Sequence, residues 1–113
     1  MSCLFCKIAA GEIPSNVIYE DDDVFAFHDI SPQAPTHFLV IPKKHIESVM
    51  HSTAEEQELL GKLMAKIPEI AKKAGIDGTG VRVVSNSGAD AGQSVFHLHF
   101  HVLSGRKFGW PPG

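Results

Sequence analysis

The chain has 113 residues, enough for one domain with a sizeable core and no need of disulfide staples, and a second domain is not expected. Hydrophobic content of 43% and charged content of 20% suit a soluble globular protein, and a formal charge of -3 gives no general attraction to nucleic acid or to an anionic membrane. Any anion site must therefore be local. The longest apolar run, residues 38–41, is far too short to span a bilayer, and Met1 is not followed by a basic segment and an apolar signal core, so the expected location is the cytoplasm.

In chain order, residues 3–10 read as a short helix ended by Gly11, with a turn at Pro14, Ser15 and Asn16. Cys3 and Cys6 form a Cys-x-x-Cys pair on that helix. No strand precedes them, which disfavours a thioredoxin-like redox pair. Two cysteines supply only half of a tetrahedral zinc site, so histidines would have to complete it. The competing reading is two reduced thiols packing with Leu4, Phe5 and Ile8.

Residues 17–20 and 24–28 read as strands joined by the acidic hairpin turn 21–23. Residues 29–35 carry two prolines and no period, so they form a loop with Asp29 at its mouth, where an Asp before Ser-Pro also suits a turn cap. Residues 36–41 are a third strand, stopped by Pro42. Thr53 with Glu56 gives a capping-box signature, and Leu60, Leu63, Met64, Ile67, Ile70, Ala71 and Ala74 recur at helical spacing. This one long helix should cover a sheet. Pro68 lies inside it and predicts a kink or local break. Lys72 and Lys73 suit its C-terminal dipole, and Gly75 its stop.

Residues 81–86 form a fourth strand, and residues 87–92 a loop into residues 93–103. There His97, His99 and His101 fall at every second position. In a strand they project to one side, with Leu98, Phe100 and Val102 on the other, and successive imidazoles lie roughly 7 Å apart. A helix would scatter them. Alternation alone marks any half-buried strand, but three clustered imidazoles titrate as a coupled unit and are costly to assemble. Gly88 and Gly92 let backbone approach a ligand, and Ser94 adds a hydroxyl and an amide, which together describe a phosphate-sized anion pocket. There is no Walker-type Gly-Lys-Ser/Thr. Neutral imidazole can attack phosphorus while a neighbouring imidazole holds the phosphate oxygens. The fold class is α+β: a mainly antiparallel five-stranded sheet, one long helix and a short N-terminal helix. The tail, residues 104–113, exposes Phe108 and Trp110 unless it docks on its own surface or on a second subunit.

His97-Leu98-His99-Phe100-His101-Val102-Leu103 resembles the signature of the histidine triad (HIT) superfamily. Gly11-Glu12-Ile13-Pro14, residues 27–37, Gly92-Gln93-Ser94-Val95 and Trp110-Pro111-Pro112-Gly113 resemble its HINT branch, the nucleoside phosphoramidases. The resemblance covers nearly the whole chain. It implies a single domain over residues 1–113, a homodimer with a sheet continuous across the interface, and hydrolysis of adenosine or guanosine 5'-phosphoramidates to AMP or GMP through a covalent nucleotidyl-histidine. It further implies His99 as nucleophile and His101 as phosphate ligand, with Asn86, Gly92, Gln93, Ser94 and Val95 around the phosphate and the leaving amine. Asp29 would bind the ribose hydroxyls. Phe5, Ile8, Phe27 and Ile30 would hold the base, His37 would stand behind the triad strand, and Trp110 would reach toward the partner's pocket. In relatives with the N-terminal cysteines, the matching set Cys3, Cys6, His45 and His97 binds zinc, which would be structural and not needed for the chemistry. The alternatives are a dinucleoside polyphosphate hydrolase, disfavoured by the Trp-Pro-Pro-Gly end, a nucleotide-binding regulatory or scaffold protein, and a purely structural zinc module.

Overall fold

A computed structural model describes residues 3–76 and 78–113. Helix α1 is Leu4–Ala9 and is too short to stand alone. Cys3 caps it, its thiol accepting from the Cys6 amide at 3.4 Å, and Gly11 leaves it at φ 80°. Strands β1 (Val17–Glu20), β2 (Val24–His28) and β3 (Thr36–Pro42) follow as a meander. Helix α2 (Gln57–Lys73) then crosses over to β4 (Val81–Val84), and β5 (Phe100–Ser104) inserts between β3 and β4. The sheet order is β1-β2-β3-β5-β4, and every pair is antiparallel.

Period-two alternation divides the core between the two sheet faces. Val24, Ala26, Phe38, Val40, Leu98 and Val102 pack against Leu63, Ile67, Ile70 and Ala71 of α2. The intervening residues Phe25, Phe27, Leu39 and Ile41 face the other way and meet Phe5 and Ile8 of α1. Each fully buried aliphatic or aromatic side chain contributes about 1.5–3 kcal/mol. The sheet therefore positions α1, not α2, over the face that carries the imidazoles.

Several boundaries differ from the sequence expectation. The Thr53/Glu56 capping box forms as expected, but it opens a 3-10 turn, Ala54–Glu56, and α2 proper starts at Gln57. Pro68 does not break α2, which runs unbroken to Lys73. It lies on the solvent side, one turn after the half-exposed Met64, where a carbonyl left without its amide can bond to solvent. Strand β3 includes Pro42, and β4 ends at Val84 rather than residue 86. The histidine strand is shortened most: β5 begins at Phe100, so of the three imidazoles only His101 sits in the ladder. In the tail, Phe108 lies between the Arg82 and Arg106 guanidinium groups, at 5.1 and 4.3 Å from its ring centre, and Trp110 is 83% exposed. No helix among the described residues is long and apolar enough to cross a membrane.

Candidate active site and metal-ligand cluster

Although His97 and His99 precede the ladder, side-chain alternation persists through them. Leu98 joins the α2-side core, while the His99 ring stacks edge-on against Phe5 at 5.1 Å and against His101 at 5.0 Å. His97 and His99 are buried and His101 is partly exposed. The three imidazoles thus share a face but not an environment.

Hydrogen bonds fix where the protons sit, because a carbonyl only accepts and an amide only donates. The His97 carbonyl is 2.7 Å from His99 Nδ1, so Nδ1 carries a proton and in the neutral ring Nε2 is bare. The Gln33 amide donates to His37 Nδ1 at 3.0 Å, so neutral His37 carries its proton on Nε2. That Nε2–H donates to His101 Nδ1 at 2.9 Å, which leaves neutral His101 with a free Nε2–H. One neutral imidazole thus presents a bare ring nitrogen and its neighbour an N–H, an arrangement that can serve nucleophilic attack beside a hydrogen-bond donor. Burial first, then the charges of His99 and His37, pull the His101 pKa down to about 4 against the opposing pull of Asp29. Burial likewise lowers that of His37, with Asp29 opposing. Asp29 Oδ2 stands 3.5 Å from His37 Nε2, while its Oδ1 accepts from the Ser31 amide at 2.7 Å. Asp29, His37 and His101 are close enough to suggest a metal site. The protonated His37 Nε2 makes this a hydrogen-bond relay instead.

These groups line a cavity of about 420 Å³, within the range of small-molecule sites. Its walls include Phe5, Ile8, Phe27, Asp29, Ile30, His37, Ser94, Val95, His99 and His101, all named from the sequence, and also Leu4, Ser31, Gln33 and Leu39, which were not named for it. Ile30 is 98% exposed at the rim. Asn86, Gly92, Gln93 and Trp110 are not among the lining residues. Gln93 is buried and shapes the loop, accepting from the Gly88 amide at 2.8 Å and donating to the Glu47 carbonyl at 2.7 Å. Gly92 ends the 3-10 turn Ala89–Ala91 at φ 88°, a left-handed position that favours glycine. Asn86 is half-buried in the loop after β4, and Trp110 stands out on the tail.

The second cluster lies behind Phe5. Cys3, Cys6, His45 and His97 bring one ligand atom each within 4.8 Å of one another. The Pro42 carbonyl accepts from His97 Nε2–H at 2.8 Å, which leaves Nδ1 of the neutral ring bare. Around that nitrogen stand Cys3 Sγ at 3.4 Å, Cys6 Sγ at 3.5 Å and His45 Nδ1 at 3.2 Å, with Cys6 Sγ to His45 Nδ1 at 3.4 Å. Tetrahedral zinc, with bonds of about 2.3 Å to sulfur and 2.05 Å to nitrogen, separates its ligands by about 3.6 Å (S to N) and 3.3 Å (N to N). The residues fit that ion. Without a cation their charged forms are disfavoured: burial first, then the Cys3 thiol, pushes Cys6 up to about 11, and burial first also lowers the pKa of His97. A bound dication would favour the Cys6 thiolate, and the lowered pKa of His97 already keeps its imidazole in the neutral, ligating form.

Comparison with known proteins agrees with this geometry. The HIT domain model matches residues 10–108. Protein HitA of Neisseria gonorrhoeae is 51% identical over 90% of this chain and 94% of its own length. An uncharacterized HIT-like protein of Synechocystis is also 51% identical, over 97% of this chain and 96% of its own. Among solved structures, a HIT family hydrolase from Legionella pneumophila superposes with a TM-score of 0.95 at 47% identity, covering 99% of this chain and 100% of its own. A histidine triad protein from Clostridium difficile does so with a TM-score of 0.91 at 50% identity, over 96% and 95%. The chain belongs to the HIT domain family.

Proposed function

We propose that this protein is a hydrolase of the HINT type, a purine nucleoside phosphoramidase that cleaves the P–N bond of adenosine or guanosine 5'-phosphoramidates through a nucleotidyl-His99 intermediate. The observation that carries this reading is the 2.7 Å contact of His99 Nδ1 with the His97 carbonyl, which reserves Nε2 for attack beside a neutral His101 that can donate. Hydrolase neighbours in the family support the reaction class.

In this mechanism the base enters between Phe5, Ile8, Phe27 and Ile30, and Asp29 accepts from the ribose hydroxyls. His101 Nε2–H and the Ser94 hydroxyl hold the phosphate oxygens. The Nε2 lone pair of His99 forms a bond to phosphorus and the P–N bond to the amine breaks; the amine leaves with a proton from solvent at the open side of the cavity. His99 becomes an N-phosphorylated imidazolium, its Nδ1–H still bonded to the His97 carbonyl. Water then attacks phosphorus and gives up a proton to solvent, the P–Nε2 bond breaks, the nucleoside monophosphate departs and neutral His99 returns. Fixed donors at the phosphate supply much of the rate enhancement.

Cys3, Cys6, His45 and His97 would hold one zinc, whose role is to clamp α1 and the 45 and 97 segments together; four protein ligands leave no open position for chemistry. The reading includes a homodimer: β4 is a sheet edge whose Val81 and Val83 are 42% and 40% exposed, suited to continuing the sheet into a second copy, with the tail and Trp110 beside it.

Rapid-quench mass spectrometry with adenosine 5'-phosphoramidate tests the mechanism. The expected result is an adenylyl adduct on the peptide containing His99, absent from His99→Ala, which still binds AMP. Equal turnover by His99→Ala would exclude the mechanism, and faster turnover of a diadenosine polyphosphate would move the protein to another branch of the family.

A further inference from the structure

The backbone that carries the nucleophile lies outside the sheet. Pairing of β5 with β3 ends at Val40↔Phe100, and pairing with β4 ends at Val84↔His101, so neither ladder reaches His99. In place of the ladder the main chain of residues 97–99 is held by separate contacts. The Leu98 amide donates to the Ile46 carbonyl at 2.6 Å, and the Ser85 hydroxyl donates to the His99 carbonyl at 2.8 Å.

Ser85 follows directly after β4 and is half-buried. Its hydroxyl does for His99 what a further strand amide would have done. The consequence reaches the ring, because the His99 imidazole is oriented by a bond to its own chain, from Nδ1 to the His97 carbonyl two residues back. That short loop of atoms closes only if the peptide planes between 97 and 99 are held. The His99 carbonyl belongs to the next peptide, 99–100, so the Ser85 bond anchors the His99 Cα at one end of that loop; releasing it lets the Cα shift and lengthens the Nδ1–H···O=C bond.

We propose that Ser85 is a positioning residue for His99: by holding the His99 carbonyl it fixes the main chain from which the Nδ1–H tautomer and the direction of the bare Nε2 follow. The proposal rests on His99 as the nucleophile. Ser85 is not among the residues that line the cavity, so its influence should fall on the rate of attack and not on substrate affinity.

Ser85→Val and Ser85→Thr form the test pair, since they are matched in shape and differ in the hydroxyl, and Ser85→Ala serves if the valine side chain does not fold. Two measurements are made on full-length protein. Long-range proton–nitrogen spectra without substrate report the His99 tautomer, and single-turnover rapid quench with adenosine 5'-phosphoramidate reports adduct formation. The expected result for Ser85→Val is a loss of the uniform Nδ1–H tautomer and a fall of roughly ten- to a hundredfold in the adduct rate, the scale on which small misplacements act. Its KM should stay within about twofold of wild type, and Ser85→Thr should recover both readouts. An unchanged tautomer and adduct rate in Ser85→Val would overturn the proposal, as would failure of threonine to recover them, or equal losses in affinity and rate with a lowered melting temperature. If wild type forms no adduct at all, the phosphoramidase reading fails, and the substrate-free spectra still decide whether Ser85 orients His99.

Discussion

Removal of zinc offers the sharpest check on the reading of the Cys3, Cys6, His45 and His97 cluster. The four ligand atoms already stand at separations of 3.2 to 3.5 Å in the pairs around His97 Nδ1 and Cys6 Sγ, against about 3.3–3.6 Å for tetrahedral zinc, so binding requires little rearrangement. A ligand that binds only the folded state at a hundredfold excess over its Kd stabilises by about 2.7 kcal/mol. For a chain of 113 residues the unfolding entropy is about 0.24 kcal/mol/K near the midpoint. The expected shift in Tm between zinc-loaded and chelator-treated protein is therefore about 11 °C. Elemental analysis should give one zinc per chain, cobalt substitution should give the spectrum of a tetrahedral site with thiolate ligands, and Cys6→Ser should remove most of the thermal response. A difference in Tm below about 2 °C, with substoichiometric metal in protein purified in the presence of zinc, would refute the assignment and leave the cysteines as packed thiols.

The remaining predictions concern protonation and backbone. The ordinary histidine pKa of 6.5 falls to about 4 at His101, so between these values the unfolded chain takes a proton that the folded chain refuses. Its contribution to stability is complete above pH 6.5 and is lost as pH falls toward 4, amounting to at most about 3 kcal/mol. Urea unfolding between pH 7.5 and 4.5 should show a shallower decline in His101→Asn, and parallel curves would contradict this assignment. Pro68 sits on the solvent side of an unbroken helix, so Pro68→Ala restores the bond to the Met64 carbonyl and should stabilise by about 1–3 kcal/mol in the same assay; a loss of stability would show that the ring contributes packing. Gly105 has φ 102°, and a Cβ there would lie 2.8 Å from Pro35 Cβ, so Gly105→Ala should destabilise by about 1–3 kcal/mol, whereas an unchanged midpoint would mean that the Pro35 loop yields freely.

The parts of the fold readable from sequence are those set by side-chain period and turn chemistry: β1 and β2, the Asp21 turn, the Thr53 box and the α2 stripe. The histidine strand was legible as a face but not as a ladder, because alternation survives in extended chain that has no partner. What sequence could not reveal rests on backbone atoms. The Gln33 amide sets the His37 tautomer, the His97 carbonyl sets that of His99, and the Pro42 carbonyl sets that of His97. No residue type signals such a partner. Ser85 lacked a signal for the same reason, since a serine at a strand end is ordinary until its acceptor is known.

The position of α1 ties the two clusters to one another. Cys3 and Cys6 flank Phe5, and the Phe5 ring contacts Phe27 at 5.5 Å, His97 at 6.1 Å and His99 at 5.1 Å. A six-residue helix has no stability of its own, so its place depends on this apolar contact and on the cysteine ligands together. The same short helix therefore supplies two ligands to the proposed zinc and, through Phe5 and Ile8, one wall of the proposed base slot. By linkage, whatever fixes α1 at one cluster lowers the ordering cost at the other. A structural metal in this chain would act on nucleotide affinity through the Phe5 wall, while the proposed attack on phosphorus would depend on His99 and on the main chain that Ser85 holds.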